Sequence, residues 1–156
     1  MKRRLTCALC LWLTLSLSAC ALALSDGSAA EETAMPNRID IETGGQIRTA
    51  TLSHNPSAEA FYALLLDGPL TLDMHDYGGF EKAGDLSAPL PRSDESITTA
   101  PGDIILYLGS QVTIYYDVNS WNLTLLGHID DATGENMRAF LGDGNPTVTF
   151  SVHAGP

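Results

Sequence analysis

Residues 103–117 read Asp-Ile-Ile-Leu-Tyr-Leu-Gly-Ser-Gln-Val-Thr-Ile-Tyr-Tyr-Asp, two short apolar runs on either side of Gly109-Ser110. Runs of this length, rich in Ile, Val and Tyr and broken by small turn residues, predict two strands, Asp103–Leu108 and Gln111–Asp117, joined as a hairpin. Alternation along the second strand sends Tyr115 and Tyr116 to opposite faces. The same period of two recurs in both directions along the chain. Ile39 and Ile41 alternate with Arg38, Asp40 and Glu42; Leu70, Leu72 and Met74 with Thr71, Asp73 and His75; Val148, Phe150 and Val152 with Thr147, Thr149 and Ser151. Each set describes a strand with one buried face. Thr43-Gly44-Gly45-Gln46 is a turn that pairs the first strand with Ile47–Leu52, and Trp121–Ile129 supplies a further strand.

One segment has helical period instead. Asn55 can cap, Pro56 suits the first helical position, and Ala58, Phe61, Leu64 and Leu65 share a face over about 56–66. Asp67-Gly68-Pro69 ends it. A shorter helical turn is expected at Asn136–Leu141. Many short strands and one main helix point to a mainly β protein, a small barrel or sandwich.

The N-terminus carries an address. Lys2, Arg3 and Arg4 precede an apolar run, Leu5–Leu17, that ends in Leu17-Ser18-Ala19-Cys20. The run falls short of the ~20 residues that span a bilayer as a helix and reads as a secretory signal over 1–19. Leu-Ser-Ala-Cys matches the bacterial lipobox, which makes Cys20 the lipid-attachment residue and new N-terminus; Ala19-Cys20-Ala21 also offers an ordinary small-x-small cleavage site. Acyl chains at ~0.8 kcal/mol per buried methylene would hold the protein to a membrane. The expected location is the cell envelope, facing the periplasm or the cell surface. In a host with two membranes, Ala21 resembles an outer-membrane sorting residue. Residues 20–36 read as lipidated cysteine and flexible tether, and 37–156 as the folded domain.

All three cysteines, Cys7, Cys10 and Cys20, lie at or before position 20. A mature chain starting there has neither a disulfide nor a Cys-x-x-Cys metal or redox motif. It keeps five cations against 19 acids, a net charge of −14. That balance disfavours nucleic acid as a partner and adhesion of the protein body to an anionic surface. His54, His75, His128 and His153 are scattered without metal-ligand spacing, so neither a metal nor a cofactor is expected. A Gly-x-Ser-x-Gly elbow is lacking as well.

The densest segment is Tyr77-Gly78-Gly79-Phe80-Glu81-Lys82-Ala83-Gly84-Asp85-Leu86. It reads either as a loop beside a binding groove or as a structural crossover with solvated charges. Asn119-Ser120-Trp121 places an indole just beyond a turn, where it either offers a flat apolar surface at a barrel mouth or caps the core.

The order of motifs resembles the bacterial cyclophilin-like domain family. An Asn-capped helix ending in Leu-Leu-Leu-Asp-Gly-Pro is followed by Gly-Gly-Phe-Glu-Lys-Ala-Gly-Asp-Leu, Pro-Gly-Asp-Ile-Ile-Leu-Tyr, Val-Thr-Ile-Tyr-Tyr and Ser-Trp-Asn-Leu-Thr-Leu-Leu-Gly-His-Ile. The resemblance covers about residues 38–152 and implies a closed cyclophilin-type β-barrel. True cyclophilins isomerise X-Pro bonds with an arginine beside a proline pocket, in a motif resembling Phe-His-Arg. Phe-His-Arg does not occur here, so the resemblance in fold does not carry the activity with it. The expectation is a lipid-anchored, non-catalytic module that binds a small ligand, a peptide or an envelope protein, with Glu81, Lys82, Tyr116 and Trp121 at the site and no catalytic residue assigned. The alternative is a divergent peptidyl-prolyl isomerase using Arg48 or Arg92. A third reading is an accessory subunit docking through its acidic surface.

Overall fold

The computed structural model describes residues 37–155. The signal, Cys20 and tether read from the sequence lie outside these residues. In chain order the elements are β1 (Arg38–Thr43), β2 (Gln46–Leu52), α1 (Pro56–Leu66), β3 (Leu70–Asp73), β4 (His75–Tyr77), β5 (Glu81–Asp85), β6 (Glu95–Thr98), β7 (Asp103–Tyr107), β8 (Gln111–Tyr115), β9 (Ser120–Ile129), α2 (Gly134–Leu141) and β10 (Thr147–Val152). The antiparallel sheet runs β3-β10-β1-β2-β9-β7-β8-β5-β4, with β6 paired to β9 beside that path.

The expected closed barrel is corrected at one seam. Among the described residues no ladder joins β3 to β4, the two ends of the sheet. These strands are consecutive through the single buried residue Met74, whose N–H donates to Pro146 O at 2.9 Å. One residue is too short for the reversal a hairpin needs, so the chain crosses the seam and pairs with a different neighbour on each side.

Local signals place the rest. Thr43 pairs with Gln46, leaving Gly44-Gly45 as a two-residue turn with φ of 57° and 75°, a geometry side chains disfavour. Asn55 caps α1, its side chain accepting from Ala58 N at 2.9 Å. The buried face of α1 is Ala58, Phe61, Tyr62 and Leu65, and Phe61 meets Phe150 edge-on at 5.6 Å. Leu64, expected inside, is 36% exposed, because six residues on from Ala58 it is turned about 240° around the helix. The predicted short turn is a longer helix, α2, started by a capping box between Thr133 and Asn136.

The Gly-rich segment 77–86 is neither a loop nor a solvated crossover. Tyr77 pairs with Glu81 across a turn, and Glu81–Gly84 is buried strand between β4 and β8. The inner face of the sheet holds the main core, which includes Ile39, Ile41, Ile104, Leu106, Ile114 and Phe150. On the outer face of β7, β8 and β9, Ile105, Tyr115 and Leu123 form a second, smaller core with Phe80, Ile97 and Leu125 against it. A register shift between Ile104 and Ile105 skips Leu126 on β9, so that Leu125 faces the small core and Leu126 the main one.

Candidate functional site

The outer core floors a cleft, and pairing register determines which side chains meet there. Glu81 pairs with Tyr115 and Ala83 with Thr113 across β5 and β8, while Tyr77 lies opposite Glu81 on β4. Side chains two apart share a face, so Glu81, Thr113 and Tyr115 stand together. Phe80 stacks on Tyr115 at 5.8 Å and meets Tyr77 edge-on at 6.0 Å. With Tyr107 and Trp121 these rings wall a cleft of about 330 Å³, completed by Gln111, Asn119 and Leu123.

Glu81 lies in this cleft and is only 7% exposed. Its Oε2 has no hydrogen-bond partner, and neither has the buried Oγ1 of Thr113. Burial raises the Glu81 carboxyl above the usual range, against the opposing pull of the Tyr115 and Thr113 hydroxyls and of His75. Burial, with the neighbouring Glu81 adding to it, also pushes the Tyr115 phenol well up, so it stays a neutral donor. Asn119 Nδ2 donates to Tyr115 Oη at 3.4 Å. The cleft therefore combines aromatic surface with one buried acid that still has a bond to make.

Lys82 and Tyr116 do not join Glu81 and Trp121 here. Alternation turns both to the inner face. Lys82 Nζ donates to Asp76 Oδ2 at 3.0 Å and to Gly144 O at 2.8 Å, and Tyr116 Oη donates to the same Asp76 oxygen at 2.5 Å. Arg138 lies over the Tyr116 ring at 4.5 Å and pairs with Asp117 at 2.6 Å. The Tyr116 hydroxyl and then Lys82 hold the Asp76 carboxyl below its ordinary value, while burial pushes Tyr116 up to about 12. The notch beside this network holds about 90 Å³. The contacts of Lys82 and Tyr116 are satisfied within the protein, as in a structural tie.

Of the four residues expected at a site, Glu81 and Trp121 line this cleft, together with Tyr77, Phe80, Tyr107 and Tyr115, which were not among those expected. The available signal was the alternation of Tyr115 and Tyr116. Choosing between them needs the Glu81–Tyr115 register, a contact between distant strands. Trp121 offers surface instead of capping the core, being 64% exposed. Arg48 lies over the Phe140 ring at 5.3 Å and Arg92 pairs with Asp94; neither lines the cleft. Among the described residues, no group of three or more His, Cys, Asp or Glu could hold a metal ion.

The model of the cyclophilin-like family matches residues 41–151. The fold is similar to that of McbB, solved in complex with tryptophan, with a TM-score of 0.56 and 20% identity over 76% of this chain and 45% of McbB. It is also similar to the hypothetical protein AF2241 from Archaeoglobus fulgidus, solved in solution, with a TM-score of 0.55 and 12% identity over 74% of this chain and 94% of that one. The chain spans less than half the length of McbB. At such identities the likeness is one of fold alone. Curated protein sequences yield no match.

Proposed function

The chain belongs to the cyclophilin-like family, and from that premise we propose that it is an extracytoplasmic binding module, anchored through a lipidated Cys20, that holds a small ligand or peptide segment in the aromatic cleft. The observation that carries this reading is the unpaired Oε2 of buried Glu81 among five aromatic rings. An unsatisfied buried acceptor costs about 1–3 kcal/mol, more when charged, and a ligand donor would relieve that cost. The cleft volume of about 330 Å³ falls at the lower end of small-molecule sites, roughly 300–1,000 Å³. McbB, similar in fold over 45% of its length, was solved in complex with tryptophan, an aromatic molecule.

The isomerase alternative needs an arginine at an apolar pocket, and among the described residues no arginine lines this cleft. The anchor is supported by the order of cations, apolar run, small residues and Cys20. Loss of fatty-acid labelling in Cys20→Ser would test it.

The binding reading is tested by amide chemical shifts of the purified chain against a panel of aromatic amines, alcohols, acids and short X-Pro peptides. Binders should perturb Glu81, Tyr115 and the Trp121 indole. A panel whose binders all perturb residues away from the cleft, or which contains no binder, would sink it.

A further inference from the structure

Resting on that cleft being the binding site, we propose that its ligand class is an organic ammonium with an aromatic or apolar body. The lining carries one acid, Glu81, and no lysine or arginine. Tyr77, Phe80, Tyr107, Tyr115 and Trp121 surround it, and ring faces of this kind attract cations, most of all where water is excluded. The nearest cation in sequence, Lys82, is turned through the sheet and occupied by Asp76 and Gly144. Its charge is spent on the inner face, so the cleft's negative character is left for a ligand. The groups that face Glu81 from neighbouring strands are His75 and Tyr77 on β4 and Thr113 and Tyr115 on β8, with Tyr107 beyond on β7. None is a permanent cation. An ammonium in the cleft would face the charge of the Glu81 carboxylate, whose buried Oε2 lacks a partner, and the ligand's body would cover Trp121, now 64% exposed.

Phenethylamine, 2-phenylethanol and 3-phenylpropanoate share a phenyl body but differ in charge, and calorimetric titration of the full chain with each at pH 7.5 separates the contributions. The amine should bind about tenfold tighter than the alcohol, and the acid weakest. Glu81→Gln keeps the shape and should abolish the preference for the amine, bringing the ratio of amine to alcohol affinity to about one. Glu81→Asp keeps the charge and should retain part of it. In the wild type, amine affinity should fall on acidification to pH 4.5, as protonation removes the carboxylate; in Glu81→Gln it should not. Equal binding of amine and alcohol, or a preference surviving in Glu81→Gln, overturns the ammonium assignment while leaving the cleft as a binding site. Failure of all three probes also overturns it, and the cleft then stands or falls on the wider panel.

Discussion

Lys82 Nζ and Asp76 Oδ2 meet at 3.0 Å across the β4–β5 hairpin, the lysine side chain 4% exposed and the aspartate 42%. The pair is asymmetric, since Asp76 can turn to water whereas Lys82 cannot. Asp76→Asn leaves a buried ammonium with neutral acceptors and no counter-charge, and should cost about 2 kcal/mol in denaturant unfolding. Lys82→Met removes the buried charge and keeps the stem, so it should cost less. Equal losses would mean that packing, not charge, holds the hairpin.

The same carboxyl predicts an acid limb of stability. Its folded value is depressed, first by the Tyr116 hydroxyl and then by Lys82. Such a group contributes stability that is fully present above its unfolded value, near 3.8, and is lost as pH falls through the depressed folded one. The gap between wild type and Asp76→Asn should therefore be constant from pH 5 to 7 and close below about pH 3.8.

Glu81 predicts the opposite slope. Burial raises its folded value above the unfolded 4.5, so the folded state holds the proton more tightly. Its stabilising contribution is present below pH 4.5 and is lost as pH rises through the folded value, above which a buried charge must be tolerated. Relative to wild type, Glu81→Gln should gain stability at pH 8 compared with pH 4.5. A pH-independent difference between the two proteins would show that Glu81 is not held away from water.

What the sequence made legible was local. Asn55-Pro56 could be read as a helix start because cap and φ constraint act within one turn. Gly44-Gly45 could be read as a hairpin because the turn alone demands positive φ. Glu95–Thr98 could not be read as a strand, having only Ile97 as an apolar residue; it forms because β9 lends it an edge to pair with. Nor could Lys82 be read as buried, since the partners that make its burial tolerable, Asp76 and Gly144, are brought together by folding. The candidate site was half legible for the same reason. Alternation separates Glu81 from Lys82, but the identity of the shared face depends on distant registers.

Gly127 predicts a packing limit. A Cβ there would lie 2.6 Å from Thr51 O and 2.9 Å from Leu52 Cα, both backbone atoms of β2 that cannot rotate aside. Gly127→Ala should force the β2–β9 pair apart and cost about 2–3 kcal/mol in denaturant unfolding. Gly155→Ala, with open space around its Cβ, should be neutral and serves as the control.

Trp121 separates site from scaffold. An indole 64% exposed gives up little buried area when truncated, so Trp121→Ala should change stability by no more than about 0.5 kcal/mol. Phe61→Ala, which removes a fully buried ring packed on Phe150, should cost about 3–5 kcal/mol. Ligand binding should rank the two the other way. Trp121 walls the cleft, so its loss should weaken a bound aromatic molecule about tenfold or more. Phe61 packs in the main core on the inner side of the sheet, so Phe61→Ala should bind nearly as wild type under conditions where it is folded. Paired calorimetry and denaturant unfolding on the two variants would show whether the crossover exists. If Trp121→Ala proves destabilising and neutral for binding, the indole belongs to the scaffold and the cleft loses its most exposed wall as evidence of a site.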